Sequence, residues 1–297
     1  MLKVFIDGRE GTTGLQIEER LAGMPGIELL PIDPEKRKDT AERARLLNAS
    51  DAAFLCLPDA AAIESVSLVT NPKTVIIDAS TAHRTNPAWA YGFPELSEVH
   101  RQTIRSSNRI AVPGCYASGF CALVYPLVTL GIIARDAALS CAALSGYSGG
   151  GKSMIARYEG ENPPRGGRPY AFGLSHKHLP EMWAVCGLDN PPVFMPAVVP
   201  VRQGMIVSVP LAMPAKPLWE SLSAHYAAPG DVTVRSFGGE DFLDVGALDM
   251  EACNNTDRMD IFVFGHEKQA LLVARLDNLG KGASGAAVGC LRERFGL

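Results

Sequence analysis

The fold is decided by the stretch Leu2-Lys3-Val4-Phe5-Ile6-Asp7-Gly8-Arg9-Glu10-Gly11-Thr12-Thr13-Gly14. Its apolar first half predicts a buried strand, and apolar residues at helical spacing follow its three evenly spaced glycines. A strand, a glycine turn and a helix in this order place a helix N-terminus where the pyrophosphate of a dinucleotide binds. A glycine-rich turn without a ligand is the alternative. The residues predicted to contact the dinucleotide are Gly8, Gly11, Thr12, Thr13 and Gly14.

Strand-like and helix-like segments continue to alternate after this turn. Apolar runs at 27–32, 51–57, 74–78 and 109–112 predict strands, with a helix at about 60–69. This alternation is typical of a Rossmann-type α/β fold, a doubly wound parallel sheet that binds ligands beyond the carboxyl ends of its strands. Two residues after the strand at 74–78 are candidates: Ser80 for a cofactor, and Arg84 as an anion clamp or, alternatively, a surface ion pair.

A basic cluster, Lys36-Arg37-Lys38, follows the second predicted strand. An acidic residue at this place suits the free ribose hydroxyls of NAD, whereas cations suit the 2′-phosphate of NADP. We therefore predict NADP(H) as the cofactor, bound in part by Lys36, Arg37 and Lys38. A charged loop that contacts only solvent is the alternative.

A cysteine stands just after a second turn, in Val112-Pro113-Gly114-Cys115-Tyr116. Pro113 and Gly114 end a strand, and the apolar residues beyond them recur at helical spacing, so Cys115 falls in the first turn of a helix. The helix dipole and the unpaired N–H groups there favour a thiolate, which is a nucleophile at neutral pH. A small buried apolar side chain is the alternative.

Two histidines and a glutamate lie close together in the segment His176-Lys177-His178-Leu179-Pro180-Glu181. Either His176 or His178 has the chemistry of a general acid/base at neutral pH, and Glu181 is a carboxylate that orients an imidazole. A pair of exposed loop histidines is the alternative.

The second half of the chain has a different pattern. Apolar runs at 137–144, 191–201, 204–211, 231–235, 258–265 and 269–276 predict an α+β domain with a mostly antiparallel or mixed sheet. The glycine run at 145–153 predicts a flexible loop that binds a substrate anion or phosphate, with Ser148 and Gly149 as candidates. We reject a nucleotide-triphosphate loop there, because no aspartate strand follows and the run lies outside a first β-α unit.

Small residues are concentrated in 278–297, which predicts a helix that returns to the first domain. Such a helix closely approaches another backbone or a cofactor, and Asn278, Gly280 and Lys281 are the candidate cofactor residues. We thus predict an NADP-binding domain over 1–115, completed by 278–297, and a catalytic, substrate and oligomerisation domain over 116–277. A length of 297 residues agrees with two domains.

The composition argues against several classes of function. A net charge of -4 argues against general binding to nucleic acid or to an acidic membrane surface. No apolar run approaches the roughly 18 residues that a membrane span needs. The 7 cysteines form no C-x-x-C pair and no signal peptide is apparent, which predicts free thiols in the cytoplasm. The close histidines have no cysteine beside them, so we predict no metal site.

Several motifs spread over nearly the whole chain occur together. They are Asp7-Gly8 with Gly11-Thr12-Thr13-Gly14, Lys36-Arg37-Lys38, Asp78-Ala79-Ser80 with Arg84, Phe93-Pro94-Glu95-Leu96, Pro113-Gly114-Cys115-Tyr116, His176-Lys177-His178 with Pro180-Glu181, and Asn278-Leu279-Gly280-Lys281-Gly282-Ala283. In this combination the sequence resembles the shorter form of the N-acetyl-gamma-glutamyl-phosphate reductases. The resemblance implies NADPH-dependent reduction of an acyl phosphate to a semialdehyde in arginine biosynthesis, through a Cys115 thioester, on a fold shared with aspartate-semialdehyde dehydrogenase.

The sequence departs from aspartate-semialdehyde dehydrogenase at Val201-Arg202-Gln203-Gly204-Met205. That relative places its acid/base histidine after the glycine, where Met205 stands here, so proton transfer falls to His176 or His178. We also expect a homo-oligomer, a dimer or a tetramer, with the apolar strands of the second domain as its interface.

Three other functions compete with this interpretation. Another phosphorylating semialdehyde dehydrogenase, such as one that uses aspartyl phosphate, has the same chemistry. A non-redox cysteine hydrolase with Cys115 and His178 needs no nicotinamide, and the Gly8–Gly14 turn argues against it. A non-catalytic NADP sensor would tolerate the loss of Cys115.

Overall fold

The computed structural model describes all residues from 1 to 297. The helices are α1 (Thr12–Ala22), α2 (Thr40–Ala49), α3 (Asp59–Ser67), α4 (Glu98–Ser106), α5 (Cys115–Thr129), α6 (Gly151–Glu159), α7 (Leu179–Cys186), α8 (Ala215–His225) and α9 (Gly285–Phe295). The strands are β1 (Leu2–Asp7), β2 (Ile27–Leu30), β3 (Ala52–Leu55), β4 (Val75–Asp78), β5 (Ala90–Tyr91), β6 (Arg109–Ala111), β7 (Ser140–Gly146), β8 (Arg168–Pro169), β9 (Val193–Val199), β10 (Met205–Leu211), β11 (Val232–Val234), β12 (Leu243–Asp244), β13 (Ala247–Leu248), β14 (Met259–Gly265) and β15 (Ala270–Leu276).

The chain divides into two compact units. Residues Met1–Pro113 and Ala283–Leu297 form the first unit, and residues Gly114–Gly282 form the second. These limits differ by a few residues from the domain limits predicted at 115 and 278. Cys115 begins a helix that is buried in the second unit, and the Gly282 N–H donates to the Asp277 carbonyl, so both ends of the second unit extend further than the sequence pattern indicated.

The first unit contains a six-stranded sheet in the order β2-β1-β3-β4-β6-β5. All neighbouring strands are parallel, as the alternation of strands and helices predicted. From β1 the chain moves to β2 on one side and to β3 on the other. The carboxyl ends of β1 and β3 therefore form a topological switch point, the place where such sheets bind ligands.

Residues that alternate along β1 pack into two different cores. Val4 and Ile6 lie in a cluster with Ile17 of α1 and Leu291 of α9. Phe5 points the other way, into a cluster that contains Leu47 of α2 and other buried side chains. A strand that is buried on both faces reads as a continuous apolar run, which explains why its sequence predicted it so clearly.

The second unit contains a seven-stranded mixed sheet in the order β11-β14-β15-β10-β7-β9-β8. Its central pairs β14–β15, β15–β10 and β10–β7 are antiparallel, whereas β7–β9 and β11–β14 are parallel. Helices α5 and α8 pack on this sheet. Gly119 of α5 allows a close approach to β10, because a Cβ there would lie 2.6 Å from the Val207 Cγ2 atom. The expected α/β fold with a second α+β domain is confirmed.

Three segments differ locally from the predictions. The predicted flexible loop at 145–153 consists of the end of β7, a single helical turn at Tyr147–Gly150 and the start of α6. The histidine segment leads directly into α7, which begins at Leu179. The predicted helix over 278–297 begins at Gly280 as a π-helical turn, Gly280–Ser284, which continues into α9 at Gly285. The Asp277 side chain accepts the Leu279 N–H just before this turn.

Candidate active site

The glycine turn after β1 requires glycine at two positions. Gly8 has φ +84, and a Cβ on it would lie 2.4 Å from the Cys56 carbonyl oxygen. A Cβ on Gly14 would lie 2.7 Å from the carbonyl oxygens of both Gly8 and Arg9. The turn therefore packs backbone against backbone, and α1 begins at Thr12 directly after it. This arrangement leaves the helix N-terminus accessible to an anion.

A cavity of about 680 Å³ lies at the switch point of the first sheet. Its volume is in the range of cofactor sites. It is lined by the end of β1, the glycine turn, the loop after β2 and the residues after β3. Of the predicted cofactor residues, those that line it are Gly8, Gly11, Arg37 and Lys38. Those that do not are Thr12, Thr13, Gly14, Lys36, Ser80, Asn278, Gly280 and Lys281.

A buried ion pair at the edge of this cavity was missed by the sequence analysis. Arg43 of α2 donates two hydrogen bonds to the Asp7 carboxylate, at 3.0 Å from Nη2 and 3.1 Å from Nε to Oδ2. Ser65 of α3 donates to the same Asp7 oxygen at 2.7 Å. Asp7 and Arg43 are both buried, so the pair is stable only because each charge is fully bonded. The three side chains fix the end of β1, from which the glycine turn begins.

The loop after β4 is held by a single carboxylate. Asp78 is fully buried and accepts hydrogen bonds from the Ser80 hydroxyl at 2.7 Å and from His83 Nδ1 at 2.6 Å. His83 stacks on Trp89 with ring centroids 4.0 Å apart. Arg84, the predicted anion clamp, donates from Nη2 to the Ala79 carbonyl oxygen at 3.0 Å. The hydroxyl of Ser80 therefore serves the loop itself.

In the second unit, Cys115 is the first residue of the 15-residue helix α5, as predicted. It is partly exposed, whereas the side chains that follow it in the helix are buried. Gly282 lies against it, because a Cβ on Gly282 would be 2.7 Å from the Cys115 Cβ atom. The Gly114 N–H donates to Glu181 Oε1 at 2.8 Å. This bond joins the N-terminus of α5 to the first turn of α7.

The two histidines differ in their surroundings. His178 is buried and is the N-cap residue of α7. His176 Nδ1 accepts the His178 N–H at 3.1 Å, so it carries no proton, and its Nε2 lies 3.4 Å from the Tyr170 hydroxyl. Burial, with a smaller contribution from the charge of Lys177, lowers the pKa of His176 to about 4. His176 is therefore neutral at physiological pH.

Aromatic side chains enclose the histidines, and the sequence analysis gave no sign of this cluster. Tyr116 packs edge-on against His176 and His178, with centroid distances of 5.7 and 5.9 Å. Phe194 of β9 packs against Tyr116 and His176 at 5.2 Å. The Tyr170 hydroxyl donates to the Tyr116 hydroxyl at 3.3 Å. Burial raises the pKa of both phenols, so they stay protonated as hydrogen-bonding groups.

The segment after β15 is tied to the glycine run. Asn278 accepts the Gly204 N–H at 2.8 Å and donates to the Ser148 hydroxyl at 2.9 Å. The Ser148 N–H donates to the Arg202 carbonyl. The Ser148 N–H group is thus used within the protein, and the role of Ser148 in binding a substrate anion or phosphate stays a prediction. Gly149, its neighbour, is exposed.

Two further predicted cofactor residues have internal contacts in the second unit. The buried Lys281 ammonium lies 3.5 Å from the Asp231 carboxylate. Gly280 packs against the backbone, because a Cβ on it would be 2.1 Å from the Thr256 carbonyl oxygen. Both contacts fix the segment that leads to Gly282, the residue that packs against Cys115.

Three of the other cysteines are in environments that suppress thiolate chemistry. Burial, together with the carboxylates of Asp78 and Asp7, raises the pKa of Cys56 to about 12. Burial also raises the pKa values of Cys141 and Cys253. Cys115 differs from these thiols because it combines partial exposure with a helix N-terminus, the environment of reactive cysteines.

Two family models match the chain. The model described as semialdehyde dehydrogenase, NAD binding domain, matches residues 11–106. The model described as semialdehyde dehydrogenase, dimerisation domain, matches residues 115–278. The first match covers Gly11 to Gly14 of the glycine turn and most of the residues that line the cavity. The second match begins at Cys115. The chain therefore contains a nicotinamide-dinucleotide-binding domain and a dimerisation domain.

Curated relatives narrow the family. The chain is 46% identical to N-acetyl-gamma-glutamyl-phosphate reductase 2 of Nostoc sp., over 99% of this chain and 97% of the relative. It is 47% identical to N-acetyl-gamma-glutamyl-phosphate reductase of Chelativorans sp., over 96% of each. The chain belongs to the N-acetyl-gamma-glutamyl-phosphate reductase family. This membership confirms the resemblance of its motifs and makes the chain an oxidoreductase.

The fold of this reductase family member is shared with solved aspartate semialdehyde dehydrogenases. A probable aspartate-semialdehyde dehydrogenase from Pseudomonas aeruginosa superposes with a TM-score of 0.74 at 16% identity, covering 100% of this chain and 99% of that structure. The enzyme from Candida albicans, solved with NADP, gives a TM-score of 0.63 at 14% identity, covering 99% and 98%. No helix of the reductase chain has the length and apolar character needed to cross a bilayer.

Proposed function

We propose that this chain catalyses the NADPH-dependent reduction of N-acetyl-γ-glutamyl phosphate to N-acetylglutamate semialdehyde and phosphate, a step of arginine biosynthesis. The observation that carries the proposal is the hydrogen bond between Gly114 and Glu181, which joins the helix start at Cys115 to the helix capped by His178. A nucleophile and an acid/base are thus linked in a member of the reductase family. The free cysteines of the chain suit a reducing cytoplasm.

The residues of the first unit fit a nicotinamide dinucleotide. Gly8 and Gly14 let the backbone approach the pyrophosphate closely, and the cavity beside them has room for the adenosine half. Arg37 and Lys38 line this cavity and would hold the 2′-phosphate that distinguishes NADP from NAD. When bound, the reduced nicotinamide supplies a hydride.

Cys115 acts as the nucleophile. Its thiolate attacks the carbonyl carbon of the acyl phosphate, a C–S bond forms, the C–O bond to phosphate breaks, and inorganic phosphate leaves. The thioester that results is reduced to a tetrahedral alkoxide bonded to the sulfur. The backbone N–H groups of the first turn of α5 have no acceptor within the helix and would stabilise the negative oxygen. Arg84 and Gly149 are our candidates for binding the phosphate or the substrate carboxylate.

His178 is the acid/base of our mechanism. It protonates the alkoxide oxygen and takes the proton back as the C–S bond breaks, which releases the aldehyde and the Cys115 thiolate. His176 is unsuited to this role, because its Nδ1 accepts a backbone N–H and its Nε2–H faces Tyr170. Its acceptor bond instead positions the backbone of His178.

We also propose that the chain forms a dimer through the uncovered face of its second sheet. Neighbouring strands present apolar side chains on this face, among them Leu144, Met195 and Leu271, which are 42%, 51% and 38% exposed. An apolar surface of this kind is typical of a subunit interface. The match to a dimerisation domain over 115–278 supports a second copy of the chain as the partner.

The test of the proposed function uses the reverse reaction, because acyl phosphates hydrolyse readily. Purified protein is supplied with phosphate, NADP⁺ and either N-acetylglutamate semialdehyde or aspartate semialdehyde, and NADPH formation is followed by absorbance. We expect turnover with the acetylated aldehyde that requires phosphate and is lost in Cys115→Ser. Preference for aspartate semialdehyde would contradict the proposed substrate, and ester hydrolysis without nucleotide would contradict the proposed reaction.

A further inference from the structure

Two residues that line the cavity of the first unit form an ion pair with each other. Arg37, in the loop after β2, contacts the carboxylate of Glu10, which lies in the glycine turn between Gly8 and Gly11. Both side chains line the cavity. A carboxylate is unexpected in a turn whose backbone binds phosphate, because the negative charges of the carboxylate and the phosphate repel each other.

The two other arginines that line the cavity, Arg43 and Arg9, have different partners. Arg43 is buried and bonded to Asp7, and it cannot leave without exposing two unpaired charges. Arg9 forms an ion pair with Glu18 of α1, which lies outside the cavity lining. Arg43 also lies 3.7 Å from Glu64, another residue of the cavity lining. Arg37 differs from Arg43 because its guanidinium is half-exposed and its pair with Glu10 is not buried.

The pair of Arg37 and Glu10 is suited to exchange partners. Their side chains are 49% and 60% exposed, and an ion pair this exposed to water is weak. A phosphate dianion offers a guanidinium a stronger, bidentate partner than a carboxylate that is shared with solvent. A phosphate that reaches Arg37 thus displaces Glu10, while a ligand without that phosphate leaves the pair intact.

We propose that Glu10 is a specificity-determining residue, whose carboxylate competes with the 2′-phosphate of NADPH for Arg37. The inference rests on the proposed function, since it takes NADPH as the cofactor. Glu10 lowers the affinity for NADP(H) and leaves that for NAD(H) almost unchanged. A competing carboxylate inside the site also shortens the time that NADP⁺ stays bound after reduction of the substrate.

Binding measurements on the isolated nucleotides test this role without turnover. The Kd values of NADPH and NADH are measured by nicotinamide fluorescence for the wild type, Glu10→Gln, Arg37→Gln and the double variant. Glu19→Gln is the matched control, because it removes the same charge from an exposed position of α1 outside the cavity. Thermal unfolding of each variant verifies that it is folded.

We expect Glu10→Gln to bind NADPH about three- to tenfold more tightly and NADH within about twofold of the wild type. Arg37→Gln binds NADPH at least about tenfold more weakly, and in the double variant the gain from Glu10→Gln shrinks to about twofold or less. Glu19→Gln leaves both Kd values unchanged.

Three outcomes would overturn the inference. Equal tightening of NADPH and NADH by Glu10→Gln would mean that Glu10 acts on the shared pyrophosphate. Weaker binding of NADH would mean that Glu10 binds the ribose hydroxyls instead. An unchanged gain in the double variant would mean that Arg37 is not involved. A wild type that binds neither nucleotide would contradict the proposed function itself, and this result is distinct from the other three.

Discussion

The Glu181 carboxylate accepts the N–H of Gly114, the residue before Cys115, at 2.8 Å. Glu181 is buried, and Gly114 is the N-cap residue of α5. The bond therefore sets the position of the thiol relative to the start of α7, where His178 lies. The Glu181 carboxylate also places a negative charge close to a helix end that stabilises a thiolate. Both the hydrogen bond and the charge of Glu181 therefore affect the chemistry of Cys115.

Substitutions of Glu181 separate the effect of the hydrogen bond from the effect of the negative charge. Glu181→Ala leaves the buried Gly114 N–H without its acceptor, and we expect a loss of about 1.5–3 kcal/mol in the free energy of unfolding and at least about tenfold in kcat/KM. Glu181→Gln keeps an acceptor oxygen and should retain most of the stability. Urea unfolding and steady-state kinetics measure both quantities, with Glu19→Gln as the control. An alanine variant with unchanged stability and rate would contradict the role of the bond.

The histidine assignment predicts different pH profiles for two variants. His178→Gln removes the acid/base, and we expect kcat to fall by about 10²–10⁴-fold and the limb of the profile near neutral pH to disappear. His176→Asn keeps an acceptor for the His178 N–H, and we expect a loss of less than about tenfold with the limb retained. A profile that loses its neutral limb in His176→Asn and keeps it in His178→Gln would reverse the assignment.

The lowered pKa of His176 predicts a stability change in acid. In the unfolded chain this histidine takes up a proton near its ordinary pKa of 6.5, whereas in the folded chain it does so only near a pKa of about 4. Because the unfolded state binds more protons between these values, the contribution of His176 to stability is present above about pH 6.5 and is lost as the pH falls toward 4. We expect His176→Asn to lose less Tm than the wild type between about pH 6.5 and about pH 4.5, by calorimetry. Equal losses would contradict the burial of a neutral ring.

Sequence reasoning located the parts of the site that depend on local pattern. The positions of Gly8, Gly14 and Cys115 follow from strand, turn and helix signals within about ten residues, and the structure places all three where those signals indicated. The partner of Gly114 lies 67 residues away along the chain, and no local pattern reports such a contact.

Side-chain networks could not be predicted from the sequence either, because their members are also distant along the chain. Arg43 reads as an ordinary helix cation, yet it is buried against Asp7. Ser148 lies in a glycine run that indicates a flexible loop, yet its N–H donates to the Arg202 carbonyl and its hydroxyl oxygen accepts from Asn278. Burial and partners come from tertiary packing, so composition and periodicity predict the element but not the bonding of its polar groups.

The proposed dimer predicts which surface residues control assembly. Leu144→Asp and Met195→Asp place charges on the uncovered face of the second sheet, and we expect the dimer dissociation constant to rise at least about 100-fold, since a buried unpaired charge is costly. Val99→Asp is the control, because Val99 is 73% exposed on α4 of the first unit. Sedimentation equilibrium measures the change. A dimer that withstands both substitutions and dissociates with Val99→Asp would place the interface elsewhere.

The contact between Gly282 and Cys115 gives the last prediction. A Cβ on Gly282 would lie 2.7 Å from the Cys115 Cβ and 3.3 Å from its Cα, and 3.1 Å from the Asp277 carbonyl oxygen. The backbone cannot yield at these atoms without moving the thiol, so we expect Gly282→Ala to lower kcat at least about tenfold while the Kd of NADPH changes by less than about threefold. Gly289→Ala is the matched control, because no atom lies within 4 Å of its added Cβ in α9, and alanine there should stabilise the helix by about 1 kcal/mol. If Gly282→Ala keeps full turnover, or if both variants lose it equally, the close packing of this segment does not position the nucleophile.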